Sequence, residues 1–361
     1  VTEAFIQRIA TAVPDHDVHQ AFVDFAGNML QDPRVRPVFH RMAERSGIAH
    51  RYSVLTPSRN AEDDATTEFV VNAHEFYTLG KFPGTARRME VFERYAAVLM
   101  RRAVDKLALT EDELHGITHV IVTSCTGLYA PGLDFDIIDH LGLSPSVERT
   151  MIGFMGCYAA INALKQARHI VRSQPEARVL TLNLELCTLH LQETQELEQV
   201  LSFLVFSDGC AAALIGAEPR GFALDSFRSV VIPETRELIT WRIRELGFDM
   251  MLSGKVPAAI GKALGTSAHE VLREHVPSDI ALWGVHPGGR SVLDAVERGL
   301  GLPPAALAAS RHVLESYGNM SSATVMFVLE ELLRTAKPGE LGCAMSFGPG
   351  LTAETLLFHA A

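Results

Sequence analysis

The stretch 158–172, Tyr-Ala-Ala-Ile-Asn-Ala-Leu-Lys and onward, limits the fold more than any other part of the chain, because its first turns are apolar or small on nearly every face. A helix without a polar side cannot lie on a surface, so it belongs between two layers, as a helix buried between two sheets does. What precedes it is equally specific. Ile152-Gly-Phe-Met-Gly-Cys157 sets a thiol between a glycine-bearing turn and the first helical turn. Unpaired amide N–H groups and the positive end of the helix dipole favour a thiolate there, and Gly156 lets backbone approach a reacting carbonyl. Taken alone, Cys157 also fits a buried core position.

Two later segments change that balance. Trp283-Gly-Val-His286-Pro-Gly-Gly289 ends an apolar run on a histidine, and Tyr317-Gly-Asn319-Met-Ser-Ser-Ala-Thr-Val325 sets an asparagine ahead of a small-residue helix start. Each is ordinary in isolation. Together Cys157, His286 and Asn319 read as a thiol-based acyl-transfer site.

With these residues the chain resembles the type III polyketide synthases related to chalcone synthase, within the thiolase-like condensing enzymes. The likeness runs over almost the whole length, through Ser124-Cys-Thr-Gly-Leu-Tyr-Ala-Pro-Gly132, Leu141-Gly-Leu-Ser-Pro-Ser-Val147, Phe206-Ser-Asp-Gly-Cys-Ala-Ala-Ala-Leu-Ile-Gly216 and Ser346-Phe-Gly-Pro-Gly-Leu-Thr-Ala-Glu354. It implies an α/β, five-layer αβαβα fold built from two duplicated halves. It also implies iterative decarboxylative condensation of malonyl-CoA onto an acyl-CoA starter, without cofactor or metal, by a homodimer. A cis peptide before Pro131 is expected on the same ground.

Composition agrees with a globular enzyme. Of 361 residues 47% are apolar and 21% charged, and no run reaches the ~18 apolar residues a membrane span needs. The start Val1-Thr-Glu-Ala-Phe-Ile has no basic region followed by a long apolar core, so cytoplasmic residence without stable membrane association is expected. Five cysteines without C-x-x-C spacing argue against a disulfide framework and a structural zinc site. A net charge of −11 disfavours broad contact with nucleic acid. Strand-like runs at 118–123, 178–184 and 281–286 alternate with helical patterns, including 291–298, and the parallel between them places the two halves at 1–216 and 217–361. Segment 58–92 interrupts this alternation as a loop leading to a helix near Ala86.

The expected chemistry starts from the thiol. A free cysteine with pKa ~8.5 is only a few per cent thiolate at pH 7, and a helix end worth ~0.3–1 kcal/mol cannot shift it enough alone, so His286 is expected to pair with it. The His286 imidazole and the Asn319 carboxamide are suited to hold the enolate oxygen formed on malonyl decarboxylation. The resemblance puts Phe206 between the tunnel and the cavity, with Met250 at the position of a second aromatic. It puts Cys125, Cys187 and His190 where plant relatives carry threonines, and Trp241 in place of a small residue facing the cavity. Arg41 and Arg45, four apart on one helix face, and Ser291 are the implied coenzyme A contacts, with Val38 in place of a third basic residue. This pattern is closer to bacterial members that extend fatty acyl starters to alkylpyrones or alkylresorcinols. A single-condensation enzyme of the ketoacyl synthase III type and a non-catalytic acyl-binding protein of the same fold are the alternatives.

Overall fold

The computed structural model describes residues 2–57 and 68–361. Nine strands form one sheet in the spatial order 282–285, 341–348, 352–360, 222–231, 5–12, 208–216, 178–186, 117–124 and 148–153. The sheet is spliced in its middle, where strand Phe5–Ala12 meets strand Phe222–Val231 only through the pairs Phe5↔Ala223 and Ile6↔Phe222. On either side of that splice the same pattern repeats. Moving outward through 5–12, 208–216, 178–186 and 117–124, two antiparallel pairings are followed by a parallel one. Moving outward through 222–231, 352–360, 341–348 and 282–285, the sequence of pairings is identical.

Strand alternation then separates the layers. In Ile117–Ser124, Val120 and Val122 join the core beneath helix Thr85–Asp105, while Ile121 points the other way, into the core around helices Ala159–Ser173 and Thr324–Thr335. That second core also takes Leu282 and Leu356 from the other half, so the two helices lie between two sheet faces. Helices Val256–Leu272 and Arg290–Leu300 cover the outer face of the second half. The result is a five-layer αβαβα thiolase-like fold. The helix expected at 158–172 is the buried one, with Ala159, Ala160, Ile161, Ala163, Leu164, Ala167 and Val171 enclosed, while Lys165, Gln166, Arg168 and His169 of its later turns reach solvent.

The helix expected near Ala86 begins at Thr85. Ahead of it the expected loop holds a short strand, Val71–Asn72, paired in parallel with Leu55–Thr56, and a helix, Ala73–Phe76. Residues 58–67 of that segment lie outside the described residues. The Ala130–Pro131 peptide is cis. All five cysteines are unpaired, and among the described residues no helix is long and apolar enough to cross a membrane.

Candidate active site

Cys157 sits in a single 3-10 turn, Gly156–Tyr158, that feeds the buried helix Ala159–Ser173. The turn is tight because two loops are pressed together. Gly156 has φ +73, and a Cβ on it would stand 2.2 Å from Cδ of Pro349, while a Cβ on Gly348 would stand 2.6 Å from the Tyr158 ring. Glycine is thus required at 156 by the Gly348-Pro349-Gly350 loop, a packing reason beyond the close substrate approach expected from sequence. Phe154 and Ser321 on either side of the site also hold positive φ, 57 and 47, which costs non-glycine residues of order 1–3 kcal/mol each.

Asn319 opens the matching helix of the other half, reached through Gly318 at φ +70 and a second 3-10 turn, Ser321–Ala323. Its backbone is tied to the segment before the Asp208–Gly216 strand: its N–H donates to the Val205 carbonyl at 2.8 Å and its carbonyl accepts from the Ser207 N–H at 2.9 Å. The side-chain oxygen accepts from the Ser321 N–H at 2.8 Å and from the Thr324 hydroxyl at 3.4 Å. Those bonds fix the carboxamide so that its NH2 group faces the site. There it bonds the Cys157 sulfur and reaches the Gly288 carbonyl at 3.4 Å.

His286 follows strand Leu282–Val285 and is anchored by its N–H on the Met345 carbonyl at 2.8 Å. Neither ring nitrogen has a partner, although both are buried. A Cβ on Gly288 would lie 3.8 Å from Nε2 of His286, so Gly288 connects the imidazole to Asn319, and Asn319 connects it to Cys157. The structure therefore brings together the three residues singled out in the sequence.

Their protonation differs from the expected thiolate and imidazolium. Burial pushes the Cys157 thiol up to about 12, with the nearby Glu185 adding to the rise, and the hydrogen bonds from Ser321 and Asn319 only partly oppose it. Burial alone drives the His286 imidazole down to about 3. The site thus holds a neutral thiol and a neutral imidazole, because desolvation outweighs the helix-end and hydrogen-bond terms when no second charge is present.

Cys157 opens on a cavity whose wall includes Cys125, Cys187, Phe206, Trp241, Met250 and Pro349. Cys187, Phe206 and Met250 pack as one small apolar cluster with Trp241 against it. The Trp241 indole N–H donates to the Cys125 carbonyl at 2.7 Å, and Cys125 Sγ accepts from the Gly156 N–H at 2.9 Å. His190 does not reach the cavity. It is fully buried behind Trp241, stacked on Phe248 at 4.3 Å and bonded to the Thr126 carbonyl at 2.6 Å, so it braces the wall.

Arg41 and Arg45 are exposed at the end of helix Val35–Glu44, Arg45 lying just past its last residue. Among the described residues neither has an ion-pair partner. The Arg45 carbonyl accepts from Arg290 Nη1 at 3.3 Å, which sets this helix end against the start of helix Arg290–Leu300, where Ser291 is exposed. Arg290 was not singled out from sequence, although it directly follows the His286-Pro-Gly-Gly289 motif. Ser321 and Glu185 were also missed. Glu185 accepts from the Ser322 hydroxyl at 2.6 Å and from the Cys125 N–H and Thr126 hydroxyl at 2.9 Å each. Nothing in its strand-like run marks it as buried beneath the nucleophile turn.

Comparison with known proteins places these features in one group. Residues 2–219 match the N-terminal domain, and residues 223–361 the C-terminal domain, of the chalcone and stilbene synthases. The chain is 33% identical to the alpha-pyrone synthesis polyketide synthase-like Pks18 of Mycobacterium tuberculosis, over 99% of this chain and 91% of that protein. It is 32% identical to the bisdemethoxycurcumin synthase of Oryza sativa subsp. japonica, over 99% of this chain and 92% of that protein. Among solved structures, PKS-I from the brown alga Ectocarpus siliculosus superposes with a TM-score of 0.88 at 30% identity, covering 100% of this chain and 99% of that one.

Proposed function

The chain belongs to the chalcone and stilbene synthase family, enzymes of type III polyketide synthase chemistry that condense coenzyme A thioesters iteratively, and within it we propose a synthase of alkylpyrones or alkylresorcinols primed by a medium or long fatty acyl-CoA. The observation that carries the starter class is a second cavity. It is lined by Val18, Phe22, Phe25, Tyr77 and Leu191 among others, and shares Cys187, Phe203 and Phe206 with the cavity at Cys157. An alkyl chain attached at Cys157 can lie in such a space. The alpha-pyrone synthesis named for the mycobacterial relative points the same way, whereas the curcuminoid named for the rice relative is an equally distant precedent.

In this reading Cys157 is the nucleophile and His286 takes its proton. Transfer between neutral partners creates two opposite charges side by side, and their attraction in a poorly hydrated pocket offsets the desolvation each suffers alone. The thiolate attacks the starter thioester, the acyl group moves to sulfur, and coenzyme A leaves with the proton. Malonyl-CoA then binds with its thioester carbonyl on the His286 N–H and the Asn319 NH2 group. Carbon dioxide departs, the electron pair enters the enolate those donors hold, and its carbon attacks the Cys157 thioester, whose carbon–sulfur bond breaks to release the Cys157 thiolate. The chain is two carbons longer, on coenzyme A, and can return to Cys157. Arg41, Arg45 and Ser291, with Arg290 beside them, face the coenzyme A phosphates, and Phe206 and Met250 form the passage. Residues 1–216 supply the nucleophile and 217–361 the histidine and asparagine. The working unit is a homodimer, which light scattering at assay concentration tests.

The functional test is incubation with malonyl-CoA and a ladder of acyl-CoA lengths, with carbon dioxide release followed and products identified by mass. Each buried methylene is worth ~0.8 kcal/mol at most, so kcat/KM climbs with chain length until the second cavity is filled. Trp241→Gly lengthens the product or changes its ring closure by enlarging the space beside the thioester. A flat response to chain length, or efficient turnover of coumaroyl-CoA to a chalcone, contradicts the starter class. A single condensation onto acyl carrier protein favours the ketoacyl synthase III alternative, and no carbon dioxide release the non-catalytic one.

A further inference from the structure

Arg51 is among the largest fully buried side chains in the protein, 2% exposed, and it lines the second cavity. A buried guanidinium costs several kcal/mol of desolvation, and an apolar residue of similar volume would ordinarily stabilise a core as well or better. Stability alone therefore does not explain a cation at this position. Its hydrogen bonds point to another use. Nη1 donates to two carbonyls at the end of helix Leu197–Leu204, those of Phe203 at 3.2 Å and Phe206 at 2.6 Å. Carbonyls past a helix end lack intrahelical partners, and a cation is the favoured group to take them. Nε bonds His19 Nδ1 at 3.1 Å, the guanidinium lies 4.4 Å over the Phe22 ring, and Nη2 is buried without a partner.

The residues after Arg51 continue the grip. The Ser207 hydroxyl accepts from the Tyr52 N–H at 2.8 Å and donates to the Tyr52 carbonyl at 3.1 Å, and the Val54 N–H donates to the Asp208 carboxylate at 2.9 Å. Segment 51–54 thus clamps 206–208 from one side, while Asn319 is bonded to Val205 and Ser207 from the other. Contact across the clamp is close, since a Cβ on Gly318 would stand 2.9 Å from both Arg51 Cγ and the Val205 carbonyl.

We propose that Arg51 is a positioning residue that sets the Phe206 ring at the junction of the two cavities and, through the backbone of 205–207, the Asn319 carboxamide against the malonyl thioester. In this role it acts through the backbone of 205–207 and not by contact with the reacting atoms. It couples the two halves of the reaction: with the clamp intact, the enolate forms facing the acyl group on Cys157, and with the clamp loosened, decarboxylation continues while the enolate is protonated before it attacks. The inference rests on the condensing role given above to Asn319.

The test is Arg51→Lys in the full-length protein, which keeps the charge but cannot reach both carbonyls in the same geometry. Three readouts are needed: carbon dioxide released per condensed product, the rate at which radiolabelled acyl-CoA acylates Cys157, and the melting temperature. Misplacement by an ångström can cost ~10²-fold, so the condensation kcat falls by ~10-fold or more. Carbon dioxide per product rises, and acylation of Cys157 falls less than condensation does. Ser207→Ala removes the neighbouring clamp, leaves Arg51 in place, and shifts the ratio in the same direction even if the Arg51 variant does not fold. A ratio unchanged in a folded Arg51→Lys, or in Ser207→Ala if that variant alone folds, overturns the proposal. So does a loss of Cys157 acylation equal to the loss of condensation. A wild-type protein that releases no carbon dioxide would instead sink the functional reading itself.

Discussion

The two buried helices at the centre of the molecule, Ala159–Ser173 and Thr324–Thr335, hold the same place in the two halves, yet what stands before each is held differently. Both are entered through a positive-φ glycine and a 3-10 turn. Ahead of the first, Cys157 is half-buried and faces a cavity, its sulfur taking bonds from the other half. Ahead of the second, Asn319 is 2% exposed and bonded through backbone N–H, backbone carbonyl and side-chain oxygen. A duplicated scaffold thus supplies two helix starts: one leaves its side chain open to a cavity, and the other fixes its side chain by hydrogen bonds.

The largest effect comes from removing the reactive member. Cys157→Ala abolishes product, a loss of ~10³-fold or more in condensation, because no other atom in the proposed mechanism holds the growing chain. Mass analysis of products checks it, and full activity would remove Cys157 from the mechanism. Cys157→Gln sharpens the contrast: malonyl-CoA decarboxylation persists while condensation is lost.

The immobilised member gives the complementary result. Asn319→Ala lowers the decarboxylation kcat by ~10²–10³-fold, the usual cost of one oxyanion donor, while Cys157 still accepts a radiolabelled starter. Equal loss of acylation and decarboxylation would mean the two helix starts do not divide the work.

Sequence alone revealed these helix starts well, because each element carried its own local signature: a helix apolar in its first turns, a histidine ending a strand, an asparagine after a glycine. It also placed the first buried helix within one residue of its observed ends. What it missed depends on contacts distant in the chain. Glu185 lies in an apolar run, and only the fold sets it beneath Cys125 and Ser322. His190 was expected in the cavity, but stacking on Phe248 holds it behind Trp241. The Cys157 thiol shifts opposite to the expected direction because burial, which no local spacing reports, dominates it.

The two glycines test the scaffold itself. Gly156→Ala puts a methyl 2.2 Å from a proline ring carbon, and Gly318→Ala puts one 2.9 Å from the Arg51 side chain and the Val205 carbonyl. The proline sits in a rigid loop, whereas part of the second clash involves a flexible side chain. Gly156→Ala should therefore destabilise more, by ~2–4 kcal/mol against ~1–3 kcal/mol, each including the cost of a positive φ. Urea unfolding midpoints at unchanged slope decide the order, and a larger loss at Gly318 would reverse it.

The smallest effect concerns the residue that joins the two helix starts. Glu185 takes the Ser322 hydroxyl from the second and the Cys125 N–H from the loop bonded to the first, and burial raises its carboxyl from 4.5 to about 7. A raised folded pKa means that the protonated acid is favoured in the native state, so its stabilisation is fully present below 4.5 and is lost as pH rises through about 7. The upper limit is ~3 kcal/mol, from 1.36 kcal/mol per unit. Asp208 behaves alike but finishes near 6, while His190 and His286, held down near 3, lose stability as pH falls below 6.5. Between pH 6.5 and 8 the unfolded-state titration of the two histidines offsets much of the loss at Glu185, so its contribution is read as a difference from a variant that lacks the carboxyl. Relative to Glu185→Gln, wild-type protein should lose up to ~1 kcal/mol of unfolding free energy across that window. The same substitution removes the negative charge that helps raise the Cys157 pKa, so iodoacetamide should modify Cys157 faster above pH 7 in the variant. An identical pH slope in both proteins, with no change in alkylation, would mean that Glu185 is not titrating between the two helix starts.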